Sequence, residues 1–90
     1  MCRFIIERDF PNGLEVPLTA AGADACSRIV AVNAANGVTW LHSYVSPDKR
    51  RTYCVYDAPS AEAIREVAHL NELPVGSITE VTVLDPYFYR

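Results

Sequence analysis

The chain has 90 residues, of which 50% are hydrophobic and 21% are charged, so its composition is that of one globular domain over residues 1–90. With 8 Lys and Arg residues against 11 Asp and Glu residues, the formal net charge is −3, which argues against nucleic acid as a partner. No apolar run approaches the roughly 20 residues of a membrane span. No signal-peptide pattern opens the chain either, so we expect a cytoplasmic protein without a membrane partner.

The first half of the chain predicts a strand followed by a helix. Apolar and polar residues alternate over residues 3–10, which is typical of a strand, and residues 11–13 carry a turn signal. Residues 19–36 are rich in alanine and predict a helix that ends at Asn36 and Gly37. The apolar face of this helix consists of Ala21, Ala25, Ile29 and Val32.

The second half predicts a hairpin, a helix and a last strand. Residues 38–45 and 52–57 are rich in β-branched and aromatic types and flank the polar loop 46–51. A helix follows the N-cap Ser60 and ends before a Leu-Pro pair, and residues 79–84 alternate as a strand. The order βαββαβ predicts an α+β, ferredoxin-like fold. Its four-stranded antiparallel sheet carries both helices on one face and leaves the other face uncovered.

The hairpin register decides which side chains lie on which face. Closing the hairpin at Ser46 and Thr52 puts His42 opposite Tyr56. In this register the helix-facing residues are Phe4, Ile6, Leu41, Val45, Tyr53, Val55, Val81 and Val83. The uncovered face carries Ile5, Glu7, Trp40, His42, Tyr44, Cys54, Tyr56, Glu80, Thr82 and Leu84. Because this face is too aromatic to remain in water, we expect a two-fold partner to pack on it and form a homodimer.

Four side chains of the uncovered face suit a borderline divalent metal. They are His42, Cys54, Glu7 and Glu80. Imidazole and thiolate supply polarisable electrons, and carboxylates neutralise the charge of the ion. The aromatic and hydroxyl residues expected to line the same pocket are Trp40, Tyr44, Tyr56 and Thr82.

Each of these ligand candidates also has a structural interpretation. Cys54 is equally explained as a small buried hydrophobic residue, and His42 as a hydrogen-bonded interface histidine. Cys26 on the first helix is better explained as a buried hydrophobic residue than as a ligand. Both glutamates are explained as partners of arginines. His69 fits a surface position in the charge pattern of the second helix. The three cysteines, an odd number at wide spacing, are expected to be reduced thiols.

Four segments of the chain carry a family resemblance. Residues 37–45, with sequence GVTWLHSYV, and residues 52–59, with sequence TYCVYDAP, together with residues 73–75 and 80–81, resemble a family of small bacterial nickel-binding proteins formerly classed as a domain of unknown function. The resemblance implies a ferredoxin-like protein that dimerises into an α/β barrel and binds nickel.

The favoured hypothesis is therefore a cytoplasmic homodimer that binds Ni²⁺, or another divalent transition metal, for binding, storage or sensing. The sequence has no Gly-rich phosphate loop and no nucleophile, base and oxyanion-donor set, so catalysis is disfavoured. The alternative is a dimeric α/β-barrel enzyme that acts on a small organic substrate or haem in the same pocket. A third hypothesis is a structural dimerisation module.

Overall fold

The fold consists of two helices and one four-stranded antiparallel sheet, and the computed structural model describes residues 2–14 and 20–88. The elements are β1 (Cys2–Asp9), α1 (Ala20–Ala35), β2 (Thr39–Val45), β3 (Arg51–Ala58), α2 (Ala61–Leu70) and β4 (Ser77–Val81). The strand order is β2-β3-β1-β4, with every neighbouring pair antiparallel. The predicted α+β, ferredoxin-like arrangement is confirmed. Residue 19, where the first helix was predicted to begin, lies outside the described residues.

Local sequence explains why α2 forms and how it packs. The Ser60 side-chain oxygen accepts a hydrogen bond from the Ala63 N–H at 3.2 Å, which satisfies one of the free donors at the helix start. Three residues at helical spacing, Ile64, Val67 and Ala68, are buried against the sheet. This side of the sheet therefore holds the hydrophobic core, which includes Phe4, Ile6, Val38, Cys54, Tyr56, Ala58, Ile64 and Val67.

The α1 helix is attached mainly near its C-terminal end. Only Gly22 and Asn33 of this helix are fully buried, because most of its apolar side chains are alanines. Asn71 Nδ2 donates to Asn33 Oδ1 at 3.1 Å, and the Val38 N–H donates to the Asn33 carbonyl at 2.9 Å. Asn33 thus links the end of α1 to the end of α2 and to the start of β2.

The predicted hairpin register is wrong by one residue at the turn. The Ser46 N–H donates to the Arg51 carbonyl at 2.9 Å, so the loop closes on Arg51 and not on Thr52. Asp48 fixes this tighter loop by accepting hydrogen bonds from the Ser46 hydroxyl and the Arg50 N–H. A bulge at Leu41 shifts the register once more. Because side chains alternate between faces, this slip exchanges the two faces of β3.

The face assignments change accordingly. Phe4 and Ile6 are confirmed as core, and Ile5, Glu7, His42 and Tyr44 are confirmed on the uncovered face. Cys54, Tyr56 and Trp40 lie instead on the helix side, whereas Tyr53 and Val55 lie on the uncovered face. Val45 belongs to the helix side but lies at its edge, and Leu41 is exposed in the bulge.

The last strand is also displaced from its predicted position. β4 begins at Ser77, and the pairs Ile6 with Ile78 and Phe4 with Glu80 put Ile78 and Glu80 on the helix side. Val81 therefore lies on the uncovered face, and Thr82, Val83 and Leu84 follow the end of the strand. The predicted strand covered residues 79–84 and therefore left out Ile78, which is the residue of β4 that pairs with Ile6.

Gly76 permits the close approach of β4 to β1. Its N–H donates to the Glu7 carbonyl at 2.8 Å, and a Cβ at this position would lie 2.9 Å from that carbonyl oxygen. We expect Gly76→Ala to lower the free energy of unfolding by about 1–3 kcal/mol, because the obstacle is backbone and cannot rotate away. Urea denaturation measures this effect, with the exposed neighbour Val75→Ala as the control. A Gly76→Ala protein as stable as the control would contradict the close approach.

Within residues 2–14 and 20–88, neither helix combines the length and apolar character required to cross a bilayer.

Candidate functional site

The face of the sheet opposite the helices is the first candidate surface, and we call it the open sheet face. Its members are the strand residues that alternate with the helix-facing residues. They are Arg3, Ile5, Glu7, Asp9, Thr39, His42, Tyr44, Arg51, Tyr53, Val55, Asp57, Ser77, Thr79 and Val81. The surface thus has an apolar centre at Ile5 and Val55, with polar groups around it.

Two side chains on the open sheet face are potential metal ligands. The imidazole of His42 is exposed and contacts the Tyr44 ring edge-to-face, with ring centroids 5.2 Å apart. Glu7 accepts a hydrogen bond at Oε2 from the Ser77 hydroxyl at 3.0 Å. Each protomer therefore offers one imidazole and one carboxylate on this face, on strands β2 and β1, which β3 separates.

An ion pair borders the same surface. Arg3 Nε donates to Asp57 Oδ1 at 3.0 Å, and Nη2 lies 3.4 Å from Oδ2, so the contact is bidentate. Hydrogen bonding from Arg3, together with its positive charge, lowers the pKa of the Asp57 carboxyl. Asp57 is thus anionic and already neutralised by Arg3.

The structure does not bring the four predicted metal ligands together. His42 and Glu7 lie on the open sheet face, whereas Cys54 is buried on the helix side and Glu80 is on the helix side of the edge strand β4. Groups on opposite faces of one sheet do not reach a common ion, because metal–ligand bonds are only about 2.0–2.3 Å long. No group of three or more His, Cys, Asp or Glu side chains able to hold a metal occurs among the described residues.

The predicted pocket residues are also divided between surfaces. Tyr44 is exposed on the open sheet face. Thr82 lines a shallow cleft at the edge of β4, together with Glu80 and Cys2. Trp40 and Tyr56 line a cavity on the helix side, and Trp40 Nε1 donates to Ser43 Oγ there at 2.9 Å.

This helix-side cavity lies between α1 and the sheet, has a volume of about 320 Å³, and is called the α1 cavity below. Its wall is almost entirely apolar. Small side chains of α1, Ala25 and Cys26, face the sheet here and leave the space unfilled. The full lining is Arg8, Phe10, Leu14, Ala25, Cys26, Ile29, Trp40, Ser43, Val45, Thr52, Cys54, Tyr56 and Leu73.

Arg8 in the wall of the α1 cavity is a candidate functional residue that sequence reasoning missed. It is only 2% exposed, and its Nη2 donates to the Tyr56 hydroxyl at 3.3 Å. The guanidinium carbon lies 5.7 Å from the centre of the Tyr56 ring. Burial raises the pKa of the Tyr56 hydroxyl, although the charge of Arg8 opposes the shift, so this hydroxyl is neutral at pH 7. The signal in the sequence was the alternation of Phe4, Ile6 and Arg8, which puts an arginine where the pattern calls for a core residue.

The remaining candidates lie apart from these surfaces. His69 is exposed on α2, in agreement with the predicted surface position. All three cysteines are free, as predicted.

Comparison with known proteins places these features in a family. The family model described as nickel responsive protein SCO4226-like matches residues 4–81, which is most of the chain. Among solved structures, the crystal structure of SCO4226 from Streptomyces coelicolor A3(2) superposes with a TM-score of 0.71 and 22% sequence identity, covering 92% of this chain and 99% of that one. At this identity the superposition establishes the shared fold. No curated protein matches the chain. The family match over residues 4–81 shows that the chain belongs to the SCO4226-like family of nickel-responsive proteins.

Proposed function

We propose that the chain is a cytoplasmic homodimer that binds Ni²⁺, or a similar divalent transition metal, on the open sheet face, in a role of binding, storage or sensing. The observation that carries the proposal is membership of a nickel-responsive family. The free state of all three cysteines supports a reducing compartment.

The open sheet face supports the dimer in this proposal. Ile5 and Val55 form its centre, and Tyr44 and Tyr53 extend the apolar area. Sheet-on-sheet packing of two copies would remove Ile5, Tyr44 and Tyr53 from water and cover Val55, which the single chain already buries. A standard interface buries about 800 Å² per partner. That area is about one eighth of the 6387 Å² surface of the chain, which one face of a four-stranded sheet can supply.

The ligand count supports a site shared between protomers. His42 and Glu7 supply two donors of different chemistry, whereas nickel takes four or more ligands in square-planar or octahedral geometry. A two-fold partner doubles the set by adding the same residues from its own open sheet face. The metal site and the dimer are therefore one proposal, in which neither chain holds the ion alone.

We expect His42→Ala to lower the affinity for Ni²⁺ by about tenfold or more, because it removes the only imidazole on this face among the described residues. Glu7→Gln removes a carboxylate of nearly the same size and is expected to have an effect in the same direction. Calorimetric titration of NiCl₂ into protein purified without an affinity tag measures both effects. His69→Ala is the matched control, since it removes the exposed histidine of α2.

A Cys54→Ser variant separates this site from one that uses the buried thiol. Cys54 lies on the helix side, so we expect its substitution to leave nickel affinity unchanged. Loss of affinity in Cys54→Ser or His69→Ala, with His42→Ala unaffected, would place the metal away from the open sheet face.

A further inference from the structure

We propose that the α1 cavity binds a small organic anion with an apolar body, and that the guanidinium of Arg8 binds its charged head group. This proposal concerns the helix side of the sheet and is independent of the proposed nickel site. Three observations carry it: a buried cation without a counter-ion among the described residues, an apolar cavity beside it, and the size of that cavity.

Arg8 is a buried charge without a counter-ion among the described residues. Its Nε and Nη1 atoms are fully buried and have no hydrogen-bond partner there, and its single hydrogen bond goes to a neutral tyrosine hydroxyl. The ion pairs between described residues join Arg3 to Asp57 and Arg51 to Asp9, so neither of these carboxylates is available to Arg8. Buried charges in proteins are normally paired, because an isolated ion loses its hydration without compensation. The guanidinium therefore provides a binding position for an anion, and its planar fork suits a carboxylate.

The α1 cavity determines what else the anion must carry. Its lining is apolar apart from Arg8 and a few hydroxyl and thiol groups, and Trp40 and Tyr56 provide aromatic wall. An inorganic anion such as phosphate would leave this wall unfilled, whereas an alkyl or aryl group would cover it. The occupant we infer is therefore amphipathic, with one anionic end at Arg8 and an apolar end towards α1.

The volume limits the size of the ligand. At roughly 30 Å³ per heavy atom, the share of a water molecule in the liquid, about ten heavy atoms fill the cavity of about 320 Å³. Octanoate has this size as a linear acid, and 3-phenylpropanoate has it as an aromatic acid. These two probes distinguish a fatty-acid type of ligand from an aromatic one.

The test compares each acid with its uncharged analogue. Calorimetric titration of octanoate and 3-phenylpropanoate into the full chain is expected to show saturable binding of at least one. The corresponding alcohols, octanol and 3-phenylpropanol, are expected to bind about tenfold more weakly or worse, because they do not neutralise Arg8. Arg8→Met is expected to remove this preference for the acid. Arg51→Met is the matched control, since Arg51 is exposed, pairs with Asp9 and does not line the cavity.

A second variant keeps the test decisive if Arg8→Met does not fold. Ala25→Leu fills the cavity from α1 while retaining Arg8, and we expect it to abolish acid binding without changing nickel binding. Equal binding of acid and alcohol, no binding of either acid, or wild-type acid binding by Ala25→Leu would each overturn the proposal.

A last experiment tests whether a carboxylate of the chain itself pairs with Arg8. Glu15 lies outside the described residues, so Glu15→Gln is titrated in parallel. We expect it to bind the acids as wild type does. Acid binding by Glu15→Gln alone would show that the chain supplies its own counter-ion to Arg8, and would overturn the proposal of an external ligand.

Discussion

Val55→Arg is expected to convert the proposed dimer into monomers. Val55 is only 9% exposed even in the single chain, because it lies at the centre of the open sheet face between Ile5 and His42 in neighbouring strands. A guanidinium at this point would be buried within the proposed interface, where unpaired charges cost several kcal/mol. Sedimentation equilibrium at micromolar protein should change from twice the chain mass to the chain mass.

The same variant is expected to lose nickel affinity if the metal is shared between protomers. Val30→Arg is the control, because Val30 is 50% exposed and lies on α1, on the other side of the sheet. Wild type that sediments as a monomer would contradict the dimer, and a monomeric Val55→Arg that still binds nickel fully would contradict the shared site.

Phe4→Ala is expected to have the largest effect on the stability of the single chain. Phe4 is 4% exposed and packs in the core between the sheet and α2. Removing a buried phenyl ring costs about 3–5 kcal/mol, through lost transfer free energy and the cavity that remains. Urea denaturation should show this loss at every protein concentration, because the side chain is buried within one protomer.

Ile5→Ala is the matched comparison, since Ile5 is the next residue of the same strand but lies on the open sheet face. Its cost is expected to depend on protein concentration, because the proposed dimer would bury this side chain more fully than the single chain does. If both variants lost the same stability at all concentrations, the assignment of the two faces would not stand.

The element order was predictable because turn and cap residues punctuate the sequence. Gly37, with a φ of +73°, ends the α1 segment, and Ser60 caps α2 as its sequence position indicates. Residues 3–10 alternate clearly, so both faces of β1 were assigned correctly from Phe4 to Glu7. The fold class followed from these signals alone.

The sequence predicted that β2 pairs with β3, but the register of this pair was not predictable from alternation. The register depends on side-chain hydrogen bonds within the loop, chiefly those of Asp48, and on one extra residue at Leu41. Neither feature changes the hydrophobic pattern, yet each moves the register by one residue. The prediction of the site was affected most. It placed Cys54 and Tyr56 on the same face as His42, and the observed register puts them on the opposite face.

The bulge at Leu41 has an evolutionary consequence. It puts Trp40 on the helix side and His42 on the open sheet face, although regular alternation would place both on the same side. Along β1, the adjacent residues Glu7 and Arg8 likewise point to opposite sides of the sheet. The sheet therefore separates two environments: substitutions on one face alter the outer surface, whereas substitutions on the other face alter the enclosed space. Selection can thus alter the proposed nickel site and the proposed ligand cavity separately within one chain of 90 residues.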